Sequence, residues 1–416
     1  MNKEIKIDLK SIWLYFLVFY FIMSSYSVYM YLFSEINSYV QIGMLLLTAG
    51  TVIAIWSKMA MKKSCFYIPL AVTAVFVLST FFTDNDTITT FIVFLRFILI
   101  FYTAALYYEG NNNIFRTIYR VLFVLIVFYF VCYVIFEYIA PGLGLSYLYH
   151  SRIDAYGNSF IAKYESHFNV FIRWATTYNF FGLNIKRFNG FASEPGQYQL
   201  YLNFVLMYLL FYAENEKHKV AKIVFILFNI FIATSTMGYL IAIGLLAIRL
   251  LDGKMTPIKV FSFLPLSAAG IYSIVMIVIE KSLKGNYSYI SRTSELDLLE
   301  NIFFKNNLLG EKEFISNVAN AWIRFLWNYG YLALAAIILI GLIILSKNTL
   351  IDTIWRKAAF LVWFCFSLAN EPSEYFNFTF FIISLLIVAS VKDYSKKNII
   401  LSQRKSLKAE RRKESV

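Results

Sequence analysis

Apolar runs long enough to cross a bilayer recur along this chain, each closed by a short polar or basic segment. A run of about 20 residues spans roughly 30 Å of hydrocarbon as a helix. Inside hydrocarbon every backbone N–H and C=O must bond within its own segment, so each run is expected to be helical. The fold class predicted is all-α, a polytopic integral membrane protein with about twelve transmembrane helices in one domain. A soluble domain of 416 residues would carry more than 15% charged and fewer than 59% hydrophobic residues.

The first predicted span covers residues 11–32, the second 39–57, the third 65–82, the fourth 88–107, and the fifth ends near Tyr138, before Ala140-Pro141-Gly142. Residues 141–196 form a first large outer loop, too polar to span. A sixth span follows at 197–213, and 220–250 reads as two short spans meeting at Thr234-Ser235-Thr236-Met237-Gly238. A ninth span at 258–279 leads to a second outer loop, 280–319, and a tenth covers 321–345. Two last spans flank Asn370-Glu371-Pro372-Ser373-Glu374, and 392–416 is a basic tail.

The net charge of +13 does not point to nucleic acid, because lysines and arginines cluster in alternate loops. That is the positive-inside pattern, and it puts both termini in the cytoplasm. Lys3, Lys6 and Lys10 precede a run without a small-residue cleavage site, which predicts a first span and not a removed signal peptide. Cys65, Cys132 and Cys365 all fall inside apolar runs, so neither a disulfide framework nor a metal site is indicated.

Against this background one stretch is out of character: Lys186-Arg187-Phe188-Asn189-Gly190-Phe191-Ala192-Ser193-Glu194-Pro195-Gly196-Gln197-Tyr198. Arg187 offers a planar fork that never deprotonates, suited to phosphate oxygens; alone it would read equally as an interfacial snorkelling residue. Glu194 reads as a base or as a carboxylate favoured at a helix N-terminus, with Pro195 opening the helix. Arg292, in the second outer loop, is a second cation candidate, and Asn320 and Arg324 stand where the tenth span begins. Arg96, inside the fourth run, must face a cavity or a partner, in a substrate or a structural role. Glu371 repeats the Glu-Pro pattern in another outer turn, either as plain loop or as a second carboxylate near the same site. His150 and His167 are expected to face solvent, and their spacing gives no metal signature. The Thr234–Gly238 break reads as helix packing before ligand binding.

Taken in order, Arg187 to Phe191, Glu194-Pro195, the Thr234–Gly238 break, Ser291-Arg292, Leu309-Gly310 and Asn320 to Gly330 make a pattern across residues 140–345. It resembles the bacterial O-antigen polymerase and O-antigen ligase superfamily. The resemblance implies a glycosyltransferase of the C-type (GT-C-like) architecture that needs no metal or other cofactor. Such an enzyme works in the bacterial cytoplasmic (inner) membrane, with its active site facing the periplasm or cell exterior. It implies glycans on undecaprenyl diphosphate as substrates, with Arg187 and Arg292 on the diphosphate. Arg96, Arg324, Asn320 and Glu371 are further substrate-binding candidates. Membrane lipids are partners, and a chain-length regulator is admitted as one; nucleic acid is not.

Two positions depart from the family. Ala319 stands where ligases carry histidine, and Met237 where many relatives carry arginine. Loss of the histidine favours a polymerase of O-antigen, capsule or exopolysaccharide repeats over a ligase. The rival of another class is a flippase for lipid-linked oligosaccharide; it would show repeated halves and a charged path through several spans, and neither is visible. The orientation is testable with cysteines placed at Ser159 and Asn286. Both are expected to label with an impermeant reagent on intact cells, and protection of both would reverse the assignment.

Overall fold

The computed structural model describes residues 9–25, 27–32, 34–55, 63–81, 87–108, 113–144, 150–156, 161–168, 170–174, 177–180, 183–252, 308–311, 318, 320–346, 348–370 and 376–391, with isolated positions between 265 and 279. Most of the predicted ninth span and nearly all of the 280–319 loop lie outside these residues, as does the 392–416 tail.

The described chain is mostly helical, and its helices coincide with the apolar runs. They are α1 (Leu9–Met23), α2 (Val28–Leu32), α3 (Ser34–Ile55), α4 (Lys63–Thr80), α5 (Thr87–Tyr107) and α6 (Asn113–Val134). After the first outer loop come α7 (Pro195–Phe211), α8 (Lys219–Ala233), α9 (Thr236–Leu251), α10 (Ala321–Ser346) and α11 (Ile354–Asn370). A last helix, α12, covers Asn377–Val391. Among the described residues, four segments are long and apolar enough to cross a membrane: Asn37–Ala54, Thr90–Tyr107, Ile114–Gly142 and Ala321–Ser346. Ile42, Leu46 and Ile53 are exposed along one face of α3, and Ile338, Leu339, Leu342 and Ile343 along α10. Apolar stripes of this extent are stable against lipid and not against water.

α7 is the axis of the bundle. Every residue of it except Gly196 is buried, as expected of a helix apolar on all sides. It packs against α6, α8, α9 and α11. Trp363 of α11 is fully buried and its indole donates to the carbonyl of Leu200 at 2.8 Å. α8 and α9 meet at the predicted break, where Thr234 is left-handed (φ 49°) and Ser235 begins the next helix. A Cβ on Gly238 would fall 2.1 Å from the Gln199 side chain, so this break is a close packing point.

Three expectations need correction. The predicted first span is interrupted: α1 stops at Met23, and Ser24 and Ser25 form a turn before α2. The fifth span does not end near Tyr138; it passes through a π turn, Ile135–Ile139, and stays helical to Gly142. A π turn bonds to the fifth residue back, as Ala140 N–H does to Ile135, and its wider ring admits a proline that an α turn excludes. The 141–196 segment departs from the all-α expectation: it holds strands β1 (His150–Tyr156), β2 (Ile161–His167), β3 (Phe171–Trp174), β4 (Thr177–Phe180) and β5 (Leu183–Lys186). The first three form an antiparallel meander and the last two a hairpin. Tyr156 pairs with Ile161 across Gly157-Asn158-Ser159-Phe160, a turn composition that the sequence reading passed over.

α10 changes direction at Gly330 (φ 69°, ψ −171°), which strips backbone groups of their helical partners. The Leu308–Glu311 segment supplies them: Glu311 N–H donates to Trp327 C=O at 2.7 Å, and Leu332 N–H to Leu308 C=O at 3.0 Å. Gly310 (φ 105°) fits there because a Cβ would lie 2.6 Å from the Asn328 carbonyl oxygen. Gly310→Ala is therefore expected to lower stability by about 1–3 kcal/mol. Thermal unfolding of the detergent-purified protein measures this, with Gly142→Ala, which has open space around it, as the neutral control.

Candidate functional site

The Lys186–Tyr198 stretch lies at the centre of the molecule, and its backbone is anchored along its whole length. Tyr133 of α6 donates to the Lys186 carbonyl at 2.8 Å. Phe188 N–H reaches the Ile232 carbonyl at the end of α8 (3.3 Å). Val28 N–H of α2 donates to Phe191 C=O (2.9 Å), and Ser27 bridges Ala192. Tyr164 of β2 donates to Ser193 C=O at 3.1 Å. A tight turn closes the middle: Ala192 N–H bonds Asn189 C=O, and the Asn189 amide returns to Ala192 C=O. Gly190 takes the left-handed conformation this turn needs (φ 55°), and a Cβ there would fall 2.3 Å from the Tyr198 ring. Phe188 and Phe191 are fully buried and both pack edge-on against Tyr198.

Arg187 and Glu194 stand at the two ends of this anchored loop, both half-buried. Arg187 acts electrostatically on Tyr239 of α9, whose hydroxyl donates to Phe231 C=O at 2.7 Å. Glu194 occupies the N-cap of α7 in extended conformation, followed by Pro195, and its side chain makes no capping hydrogen bond.

Sequence reasoning missed the most charged cluster next to this loop. The π turn of α6 points Glu137 inward, where it is 5% exposed. Arg173 of β3 donates to its Oε1 at 2.5 Å, Lys186 of β5 donates to its Oε2 at 2.8 Å, and His167 Nε2 lies 3.3 Å away. Arg173 also bonds Glu165 of β2. His167, expected to face solvent, is instead buried and stacked on Phe136. The carboxylate gathers partners from three strands, so it fastens the outer sheet to α6 and fixes Lys186, the neighbour of Arg187. A lone acid in Val134-Ile135-Phe136-Glu137-Tyr138-Ile139 was the available signal, since such a group must be paired.

Arg96 donates to Gln41 Oε1 of α3 at 2.7 Å. Gln41 in turn reaches the Ser24 carbonyl, and Asn377 of α12 bonds both Ser24 Oγ and Gln41. This network meets α7, the helix that follows the anchored loop, through the Ser24–Ser25 turn, because Tyr201 donates to Ser25 C=O. Asn320 accepts from Trp322 N–H (3.0 Å) and Ile323 N–H (3.3 Å), which makes it the N-cap of α10. Arg324 follows one turn later, half-buried. Arg292 and Glu371 lie outside the described residues.

A groove of about 320 Å³ opens among α4, α5, α10, α11 and α12, lined by side chains such as Phe76, Phe97, Trp322, Phe325, Phe364 and Phe380. Its wall is almost wholly apolar, and its α10 side starts beside Asn320. Among the described residues no cluster of His, Cys, Asp and Glu could hold a metal ion. Comparisons with protein-family models, with curated proteins and with solved structures return no match.

Removing Glu137 takes one of two carboxylates from the buried Arg173 and the carboxylate partner from the half-buried Lys186. Glu137→Ala is expected to cost about 3–5 kcal/mol, and Glu137→Gln, which keeps the shape, less. Thermal unfolding in detergent measures both, and an unchanged midpoint for Glu137→Ala would show that the sheet is held by other contacts.

Proposed function

We propose that this protein is a polysaccharide polymerase of the bacterial cytoplasmic membrane, with about twelve spans, both termini inside and a C-type glycosyltransferase architecture. It transfers a growing glycan from undecaprenyl diphosphate to a sugar hydroxyl of another lipid-linked repeat unit at the outer face. The observation that supports this most is the anchored loop, which presents a half-buried guanidinium and a half-buried carboxylate at its two ends in a largely apolar molecule.

In this reaction the bond between the anomeric carbon and the diphosphate oxygen breaks, and a bond from that carbon to the acceptor oxygen forms. Charge develops on the leaving diphosphate. Arg187, held by an immobile backbone, meets that charge without reorganisation, which is where fixed cations contribute most. Arg292 is the second diphosphate ligand by family resemblance. Glu194 takes the proton of the acceptor hydroxyl, a contribution of about 10²–10⁴-fold in rate. The apolar groove accommodates a prenyl chain and keeps water away from one side of the chemistry. Asn320, Arg324, Arg96 and Glu371 remain positions for contacts with the glycan or its carrier.

The glycolipid ladder of the strain that carries this protein tests the assignment. Arg187→Ala and Glu194→Gln are each expected to abolish the ladder and leave lipid capped with a single repeat, at normal protein level. Arg187→Lys restores little, because a point charge does not reproduce a bidentate phosphate contact, and Glu194→Asp retains part. A normal ladder in Arg187→Ala removes the diphosphate assignment. Carrier-linked polymer without surface glycan would indicate a ligase instead, and cytoplasmic accumulation of repeat units a flippase.

A further inference from the structure

Far along the chain from the anchored loop, α1 and α6 pack side by side, and the first two turns of each enclose a polar pocket of about 320 Å³. Ser11, Leu14 and Tyr15 line it from α1; Arg116, Thr117 and Arg120 line it from α6. Arg116 and Arg120 are one helical turn apart and both exposed. Arg120 donates to the Tyr15 hydroxyl at 3.0 Å, which holds its guanidinium over the pocket.

These two arginines differ from others in the molecule. Arg173, Arg249 and Arg356 each sit on carboxylates. Neither Arg116 nor Arg120 makes an ion pair within the described residues. The carboxylate on this side, Glu216, is taken by Lys222 at 2.5 Å and by the Tyr119 hydroxyl at 3.2 Å. Both helices continue from here into apolar segments, so the pocket lies within roughly 10 Å of where hydrocarbon begins. Two forked donors and three hydroxyls at that depth match a phosphodiester whose acyl chains run down the helix surface.

We infer that the pocket formed by Arg116, Arg120, Tyr15, Ser11 and Thr117 is a binding site for the phosphate of an anionic membrane phospholipid. The lipid adds counter-charge to that of Glu216, which acts on both arginines without an ion pair to either, and it ties α1 to α6 at their shared end. This site is independent of the proposed glycan chemistry.

Native mass spectrometry of the full chain in detergent, with phosphatidylglycerol and phosphatidylcholine in turn, tests it. The wild-type protein is expected to retain one phosphatidylglycerol in preference to phosphatidylcholine. The R116A/R120A variant should lose that preference by about tenfold or more, the scale of a charge-assisted hydrogen bond. R116K/R120K, which keeps charge without the fork, should fall between. A parallel melting series covers any loss of folded variant: phosphatidylglycerol should raise the wild-type midpoint more than the Lys variant's. Equal retention by wild type and R116A/R120A would overturn the site. Displacement of the lipid by millimolar inorganic phosphate, with no preference between the two lipids, would overturn the lipid assignment.

Discussion

Backbone groups shut away from water must find partners, and in a chain this apolar the supply of partners is short. Helices meet the requirement within themselves. The Lys186–Ser193 segment cannot, and it lies in the middle of the bundle. Its carbonyls and amides are satisfied by α2, α6, α8 and β2, through Val28, Tyr133, Ile232 and Tyr164. The same bonds that make irregular backbone tolerable there also fix its position to four elements at once. Rigidity at Arg187 and Glu194 is thus a by-product of satisfying main-chain polarity, and a site for charge stabilisation needs that rigidity.

The break in α10 obeys the same constraint on a smaller scale. Gly330 turns the chain, and Leu308–Glu311 is drawn in to bond the exposed carbonyl and amide. Two helix interruptions, at Ser24–Ser25 and at Gly330, are each met by a segment distant in sequence. The Ser24–Ser25 turn is bonded by Tyr201, Asn377 and the backbone of Phe378. Non-helical backbone in this molecule therefore marks where separate parts of the chain are joined.

The helical character of the apolar runs was legible in the sequence because run length and helix geometry are directly linked. The Thr234–Gly238 break and the entry at Pro195 were legible for similar reasons, since local composition there dictates the backbone. What escaped was long-range. Glu137 takes its partners from residues 30 to 49 positions away, and no local pattern announces Arg173 or Lys186. The strands escaped because their faces are set by docking on α6 and not by solvent: Tyr164, Ser166 and His167 are all buried, so hydrophobic alternation is lost. Asn320 adds a local role that its position at a helix start made legible: it caps α10.

The π turn at Ile135–Ile139 also shifts the phase of α6. An α-helix advances about 100° per residue, so one residue gained in a turn rotates everything beyond it by roughly that amount. Before the turn, α6 packs on α1, α7 and β3; within it, Glu137 is brought to Arg173 and Lys186 of the strands. The run from Ile114 to Gly142 is continuous in hydropathy, yet its last residues do not continue the stripe that the residues before the turn present.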